Sequence, residues 1–446
     1  MSSKEMLLWI VEQFKGTNEL TKKTLEYENK LAVLFYVKSL IDQELLQKVI
    51  IKPFFEMQSE NQFTSYLTAL PYFQEVESKA QALFELTSGS SLVVIQNDLY
   101  LIDLKLSSND AISNTNIETT IHGSQLALSD NLMTNINVIR SYYHQSSLNI
   151  EYFTKGEVNQ QKTAIIYDKD KVNSAVLEEI REKLQQVDKQ IITATTQLNN
   201  FLNKKRFSLF PQMIMTERPD RIIYNLAGGK VILLVDGNSQ SLAVPAIFFD
   251  FMTTMEDNYH TLWISLFVRL LRYFGLLISL LLPGLYVGII SFAPEVLKTE
   301  LTLTVAGSRM GVPFSSFAEV LFMLFFMELL LEASIRLPKA VSATATTVGG
   351  LILGTAVTEA ALASNIMVIL VAAVAIATFV IPVNEMAFTV RILRLILLLI
   401  TSVFGLAGLV LGFLTLIMYL INLNSFGEPY LRIYNFQKNE SEEGQI

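Results

Sequence analysis

Residues 273–294 decide the fold of the carboxyl-terminal half of this chain. They read YFGLLISLLLPGLYVGIISFAP, 22 residues without a charge. A second uncharged run, of 33 residues, lies between Arg394 and Glu428. A helix of roughly 20 apolar residues crosses the hydrocarbon core of a bilayer, which is about 30 Å thick. Because the chain before about Asn258 is polar, the sequence predicts a water-soluble head followed by an α-helical polytopic membrane domain.

The composition limits the classes of function that fit the chain. Its 446 residues carry a net charge of -8, whereas nucleic-acid binders present a basic surface, so we expect no nucleic-acid partner. The lack of cysteine excludes disulfides and thiolate metal sites. The 3 histidines have no metal-ligand spacing, and the sequence has no phosphate-binding glycine motif. We therefore expect no cofactor, no metal and no enzymatic activity.

The head contains one sequence pattern twice. In each copy a strand-like run precedes a helical segment and a hairpin, with the first strands at 31–37 and 163–167. A helix over 130–143 is predicted to join the copies. Another begins after Asn173 or Ser174, with apolar residues every three or four positions as far as Ile191. The pattern predicts an α/β head of two similar subdomains, residues 1–145 and 146–258. One mixed α/β domain is the alternative.

The densest polar cluster of the head is Thr216-Glu-Arg-Pro-Asp-Arg221. It fits the start of a helix, with Thr216 as the cap, Pro219 in the first turn, and charges that are solvated or paired. It also fits an interface in which the charged side chains meet another subdomain or subunit. The candidate interface residues are Arg218, Asp220 and Arg221.

The membrane domain, residues 259–431, contains five apolar stretches, and residues 432–446 form a polar tail. The stretches run over 273–292, 314–335, 340–358, 361–383 and 395–421. The third is the least apolar, so it is either a span or a re-entrant element. The number of crossings, and the side on which the tail lies, are therefore open.

Basic residues predict the orientation of the membrane domain. If every stretch crosses, three basic pairs lie on one side of the membrane. These pairs are Arg269 with Arg272, Arg336 with Lys339, and Arg391 with Arg394. No signal peptide is recognised at the start of the chain. The side carrying these pairs, and with it the head, is therefore predicted to be cytoplasmic.

Acidic and small residues within the apolar stretches are candidates for an ion path. A carboxylate at the bilayer centre costs about 3 kcal/mol, so Glu328, Glu332 and Glu359 need an explanation. They either lie near an interface, where Glu332 pairs with Arg336, or face water in a path that favours cations. Small residues of the third stretch allow close helix packing or line a pore. The candidate glycines are Gly349, Gly350 and Gly354.

Several ordered motifs resemble the A subunit of the spore germination receptor (GerA) family over nearly the whole chain. They are Asn131-Leu-Met-Thr-Asn-Ile136, Leu209-Phe-Pro-Gln212, Thr216-Glu-Arg-Pro-Asp-Arg221, Val235-Asp-Gly237, Leu282-Pro-Gly-Leu-Tyr-Val287, Gly311-Val-Pro-Phe314, Arg336-Leu-Pro338 and Ser425-Phe-Gly-Glu-Pro-Tyr-Leu431. One stretch departs from the family pattern. Where members carry an Arg-Gly-Pro-Arg-Glu-Gly-Phe-like sequence, residues 121–128 keep only Gly123.

The resemblance implies a subunit of a nutrient germinant receptor in the spore inner membrane, coupling germinant sensing to ion release. It also implies a transporter-like B subunit, a lipoprotein C subunit, and a homo-oligomer that conducts or gates ions among membrane lipid. Two alternatives stay open from the residues alone. One is a secondary transporter of a solute or ion, and the other is a non-conducting scaffold subunit.

Overall fold

The computed structural model describes residues 3–15, 17, 19–28, 30–76, 78–96, 98–105, 114–115, 117–186, 192–203 and 208–432. The chain forms two compact units. The first contains Met1–Arg206 and Gln212–Pro245, and the second contains Phe207–Pro211 and Ala246–Ile446. Of the predicted tail only residue 432 is described, and Val187 and Ile191 of the predicted second helix lie outside the described residues.

The first unit contains ten strands and nine α-helices in its described part. The strands are β1 Leu20–Tyr27, β2 Lys30–Val37, β3 Phe73–Gln74, β4 Ser90–Ile95, β5 Asp98–Asp103, β6 Leu148–Lys155, β7 Gln161–Asp168, β8 Ile214–Thr216, β9 Val231–Val235 and β10 Ser241–Val244. The helices are α1 Ser3–Gln13, α2 Gln43–Leu46, α3 Lys52–Glu56, α4 Glu60–Ala69, α5 Lys79–Ser88, α6 Leu132–Tyr142, α7 Ser174–Gln185, α8 Thr195–Leu202 and α9 Pro219–Ala227. A π-helical turn, Gln47–Ile51, joins α2 to α3.

The two halves of the first unit share one sheet topology. Their strand orders are β1-β2-β4-β5-β3 and β6-β7-β9-β10-β8, and every neighbouring pair is antiparallel. The second order repeats the first with each strand moved on by five. This confirms the predicted pair of similar subdomains.

Burial explains which strands the sequence revealed. The central strand β9, with the sequence VILLV, is buried at every position, so it reads as a continuous apolar run. The edge strand β1 reads LTKKTLEY and buries only Leu25, and we did not predict it. The equivalent edge strand of the second sheet, β6, was missed as well. Lysines and alternating polar residues are common on sheet edges because they discourage pairing with other chains.

Helix α6 joins the halves, as predicted for 130–143. Its N-cap is Asn131, whose side chain accepts the backbone N–H groups of Met133 and Thr134. The N–H of Leu132 donates to Asp236 Oδ1 in the second half, at 3.0 Å. At the other end of the helix, the buried Arg140 forms an ion pair with Glu19 at 3.7 Å. The helix is thus bonded to both halves.

The second unit is helical. Its helices are α10 Leu262–Phe292, α11 Thr299–Arg309, α12 Ser316–Arg336, α13 Lys339–Glu359, α14 Asn365–Phe379 and α15 Asn384–Asn422, and a short hairpin pairs β11 Asn424–Ser425 with β12 Glu428–Pro429. Among the described residues, three helices are long and apolar enough to cross a membrane: Leu262–Phe292, Val341–Glu359 and Asn384–Asn422. Helix α14 is apolar but shorter, and α11, which is polar, was not predicted.

The division between the units falls earlier than the sequence suggested. We placed the boundary at residue 258, where the polar sequence ends, but residues 246–258 belong to the helical unit. Asp257 accepts a hydrogen bond from Arg272 of α10 at 2.6 Å, and Arg272 also donates to the carbonyl of Met252. Bonds to a membrane helix therefore hold this polar segment.

The fifth apolar stretch is two helical arms, which corrects the prediction of one segment over 395–421. Gly405 within α15 has φ 64° and ψ -152°, a conformation that favours glycine. A Cβ added to Gly412 would lie 2.8 Å from Leu397 Cδ2. In a straight helix these residues would be about 22 Å apart. The chain therefore reverses at Gly405, and the returning arm packs on the first.

Both ends of this hairpin lie on one side of the helical unit. Thr389, near its start, donates to the carbonyl of Leu209 at 2.6 Å. Tyr430, beyond its end, donates to the carbonyl of Pro211 at 2.8 Å. Because both contacts are made to the same short segment, residue 430 returns to the side where α15 begins.

We predict that Asn424 and Asn258 are exposed on the same side of the membrane and Glu300 on the other. The protein has no native cysteine, so single cysteines at these exposed positions report the side directly. In sealed vesicles of one orientation, an impermeant thiol reagent should label Asn424→Cys and Asn258→Cys together, and Glu300→Cys only from the opposite face. Labelling of Asn424→Cys together with Glu300→Cys would contradict the hairpin.

Candidate functional site

The structure gives two of the candidate acids different surroundings. Glu328 lies 2.7 Å from Arg394 Nη2 and 3.4 Å from Arg391 Nη1, and its side chain is 28% exposed. Glu332 pairs with Arg336 at 2.6 Å, and both side chains are exposed. Although only one helical turn separates them, Glu328 faces packed helices and Glu332 faces outward.

The remaining candidates lie on α13, which the described chain hardly covers. Only 6% of the most apolar window of this helix is buried, against 44% in α10 and 33% in α15. Glu359, its last residue, is exposed. A Cβ added to Gly349 would lie 3.3 Å from Leu330, one at Gly354 would lie 3.9 Å from Val368, and one at Gly350 would meet no described atom within 4 Å. The helix therefore presents an uncovered surface, which carries Val348, Leu351 and Ile352 together with alanine and threonine.

Four threonine hydroxyls of α13 are bonded within the helix, whereas that of Ser342 donates to the carbonyl of Ser334 on α12 at 2.7 Å. Thr346, Thr347, Thr355 and Thr358 each donate to the carbonyl four residues earlier, at 2.7–3.1 Å. Such bonds satisfy the hydroxyl without an outside partner. The exposed face of the helix can therefore meet lipid, other helices or water.

A buried polar cluster surrounds Arg394, and it was not predicted. This side chain is 1% exposed, and its Nη1 lies 3.4 Å from Thr378 Oγ1. Thr378 in turn shares a hydrogen bond of 2.7 Å with Ser279 of α10. We had used Arg394 only to orient the membrane domain. The sequence feature that could have predicted this cluster is the position of Arg394 directly beside an uncharged run. A cation at that position requires a nearby carboxylate.

Glu319 is the fully buried acid of the described helical unit, and it was not among the candidates. It accepts hydrogen bonds from the N–H and the hydroxyl of Ser364, both at 2.7 Å, and lies 3.3 Å from Arg309 Nε. Ser364 is the N-cap of α14 and accepts the N–H of Met367. Glu319 therefore fixes the start of α14 against α12.

Asp257 forms a third arginine–carboxylate cluster, between Arg272 at 2.6 Å and Arg269 at 3.4 Å. It also accepts the N–H and hydroxyl of Thr254, both at 3.2 Å. Burial opposes ionisation of this carboxyl. The hydrogen bonds from Arg272 and Thr254 and the two positive charges outweigh it, and they lower the pKa of Asp257.

The polar cluster of the head is an intrachain contact. Arg218 is buried, and its guanidinium donates to both carboxylate oxygens of Asp220 and to Thr120 Oγ1 at 2.7 Å. Arg221 pairs with Glu118 at 3.3 Å. Helix α9 begins at Pro219, as predicted, but its N-cap is Arg218. The role of these residues as a subunit interface stays a prediction.

The segment that departs from the family pattern follows directly after this contact. Its one retained residue, Gly123, has φ 100°, a value that side chains disfavour. Nearby, Asn114 and Leu126 form an isolated β-bridge. The glycine is therefore required by the backbone conformation at this position. The other residues of the family pattern are not needed for that conformation.

A cavity of about 940 Å³ lies between the two halves of the first unit. Its wall includes Glu19 and Ser39 from the first half, Tyr152 and Asp236 from the second, and the start of α6. The hydroxyl of Ser39 donates to Glu19 at 2.7 Å. Both halves thus contribute polar side chains to a wall that also includes apolar residues such as Leu132 and Ile150.

Comparison with known proteins gives consistent matches over both units. The family model described as "Bacillus/Clostridium GerA spore germination protein" matches residues 9–443. The chain is 30% identical over 437 residues to spore germination protein GerLA of Bacillus cereus, covering 96% of this chain and 89% of GerLA. It is 34% identical over 379 residues to spore germination protein XA of Bacillus anthracis, covering 84% and 76%. The N-terminal domain of the A subunit of the Bacillus megaterium spore germinant receptor GerK3 aligns at 20% identity with a TM-score of 0.41, over 54% of this chain and 94% of that domain.

We predict that Asp257→Asn lowers the free energy of unfolding of the full chain in detergent by about 3 kcal/mol, because Arg272 remains buried without its counter-charge. Since the folded pKa of Asp257 lies below the unfolded value of about 3.9, its contribution is present above that value and is lost as the pH falls through the folded pKa. The Tm difference from wild type should therefore shrink on acidification. Glu300→Gln, at an exposed acid, is the control. A difference that does not depend on pH would contradict the assignment.

Proposed function

Since the chain belongs to the GerA family of spore germination proteins, we propose that it is the A subunit of a nutrient germinant receptor in the spore inner membrane. In this proposal several copies assemble with α13 towards a common axis. The assembly conducts or gates the ions whose release accompanies germination. Its head lies in the cytoplasm.

The exposure of α13 is the observation that carries the proposal. A helix that faces lipid is expected to be the most apolar of a bundle, because lipid offers no polar partners. Helix α13 is instead rich in threonine, alanine and glycine, and it is the least covered of the candidate spans. Copies of the same helix arranged around a water-filled axis would cover this surface. The small residues would let neighbouring copies approach one another closely.

Acidic residues lie at both ends of this helix. Glu332 and its partner Arg336 come just before α13, and Glu359 is its last residue. In a symmetric assembly each becomes a ring of carboxylates, and such rings favour cations. Glu328, which two arginines hold, acts in this proposal as a structural counter-ion, although it was first considered for the path.

The orientation and partners follow from the family and from charge. The arginines at the start of α10 and α15 lie at one end of the helical unit, and basic residues favour the cytoplasmic side. The resemblance implies that a transporter-like B subunit binds the nutrient and that a lipoprotein C subunit joins the complex. Binding at the B subunit would then change the packing of α13 around the axis.

A secondary transporter remains the alternative from another class. Broken helices are typical of transporter sites, and α15 is interrupted at Gly405. However, Gly405 lies against Phe292, the last residue of α10, where the hairpin turns. A break at the end of a helix fits a turn better than a site in the middle of the bilayer. A non-conducting scaffold would show neither flux nor transport in liposomes.

We predict that Gly350→Leu blocks cation flux while the subunit still folds. Within the described chain an added Cβ meets no atom, so the larger side chain would clash only with other copies or fill the path. Gly307→Leu on α11, where an added Cβ also meets no described atom, is the matched control. The measurement is K⁺ flux in liposomes holding the full chain with its partner subunits. Normal flux through Gly350→Leu would contradict the placement of α13.

We predict that Glu332→Gln and Glu359→Gln each reduce cation flux several-fold, because each removes one ring of negative charge from an end of the path. Subunit abundance should stay near wild type, since both acids are exposed. Glu300→Gln, an exposed acid on α11, should leave flux unchanged. If all three variants conduct like wild type, these carboxylates lie away from the path.

A further inference from the structure

We propose that Arg391 binds the phosphate of an anionic phospholipid headgroup at the end of α15 where the hairpin begins, and that the acyl chains lie along the adjoining face of this helix. The assignment does not depend on ion conduction.

An excess of positive charge is the first observation. Arg391 and Arg394 share one carboxylate among the described residues, that of Glu328. Arg394 takes the close contact, at 2.7 Å, whereas Arg391 lies at 3.4 Å. Asp257 is likewise shared by two arginines, Arg272 at 2.6 Å and Arg269 at 3.4 Å, whereas Arg336 and Arg432 each have a carboxylate to themselves at 2.6 Å. The pair around Glu328 therefore carries one uncompensated cation, and Arg391 is the arginine held less closely.

The placement of Arg391 leaves part of its guanidinium open. Its Nη1 faces Glu328, and within the described residues its Nη2 has no hydrogen-bond acceptor. The side chain is 16% exposed, whereas that of Arg394 is 1% exposed. Its guanidinium carbon lies 4.9 Å from the ring centroid of Phe388, a residue that is 48% exposed on the surface of the bundle. The ring thus holds the guanidinium at the outer face of the helix.

The depth of Arg391 suits a lipid phosphate. The hydrogen bonds from Arg394 to Thr378 and from Thr378 to Ser279 place Arg394 level with Ser279 on α10. The uncharged run of α10 begins at Tyr273, which is about 9 Å nearer the membrane surface at 1.5 Å per residue. Arg391 lies one helical turn closer to that surface than Arg394. A long arginine side chain covers the remaining distance by reaching towards the headgroups.

The surface below Arg391 suits acyl chains. Ile392, Ile396, Leu399 and Val403 are exposed on α15 and continue from Phe388 towards the turn at Gly405. The Nη2 group of Arg391 is free to donate to a phosphate oxygen, and its place above an apolar strip matches a phospholipid better than a soluble anion. This continuity is the reason for choosing a lipid headgroup over free phosphate.

The experiment measures lipid binding to the full chain in detergent by native mass spectrometry, with stepwise additions of phosphatidylglycerol or phosphatidylcholine. Wild type should bind phosphatidylglycerol more tightly than phosphatidylcholine, and the preference should fall with salt. Arg391→Gln should weaken phosphatidylglycerol binding about fivefold, the effect of about one surface charge near an anionic lipid. Its binding of phosphatidylcholine should not change. Arg432→Gln, at an exposed arginine with its own carboxylate, is the matched control and should bind both lipids like wild type.

Arg391→Lys keeps the charge without the planar fork, and it should retain most of the preference even if Arg391→Gln does not fold. A wild-type chain that binds both lipids equally would overturn the proposal without any variant. Equal losses in Arg391→Gln and Arg432→Gln would overturn the assignment to Arg391. Full competition by inorganic phosphate at millimolar concentration would show a site for the free anion and overturn the choice of a lipid.

Discussion

The ion pair between Arg394 and Glu328 is the interaction on which the helical unit depends. Arg394 is buried in an apolar bundle and is stable there only opposite a carboxylate, so removing Glu328 would leave its charge uncompensated. The pair, at 2.7 Å, joins α12 to α15, and its bond to Thr378 adds α14 and, through Ser279, α10. Four helices are thus fixed at one level. Helix α13 has no part in these contacts, and it is the least covered of the candidate spans.

The need of a buried charge for an opposite charge also explains the other buried acids of this unit. Asp257 holds the segment before α10, and Glu319 holds the start of α14, each through an arginine and backbone or hydroxyl donors. These acids stabilise the bundle from within. Glu332, in the last turns of α12, and Glu359, the last residue of α13, differ because both are exposed. Exposure, and not pairing, separates the structural carboxylates from those proposed for the ion path, because Glu332 also has an arginine partner.

Much of the fold could be predicted from the sequence, and the failures have physical causes. Strands such as β9 and the capped helix α6 were evident from local patterns. The edge strand β1 was not, because its charged residues hide the alternation. The hairpin in α15 was missed because a glycine in an apolar run is typical of close packing, and only its positive φ shows a reversal. The partner of Glu328 could not be found, since the two residues are 66 positions apart and nothing local links them.

The central claim is that α13 faces water in an assembled receptor. The most direct measurement is the reaction of single cysteines along residues 341–359 with a small cationic thiol reagent, in membranes that contain the complete receptor. The account predicts reaction at positions three and four residues apart that include Gly350 and Gly354, with flux blocked by the modification. Exposed α15 positions such as Leu399 should not react. Reaction at no α13 position, or equal reaction around the whole helix, would contradict it.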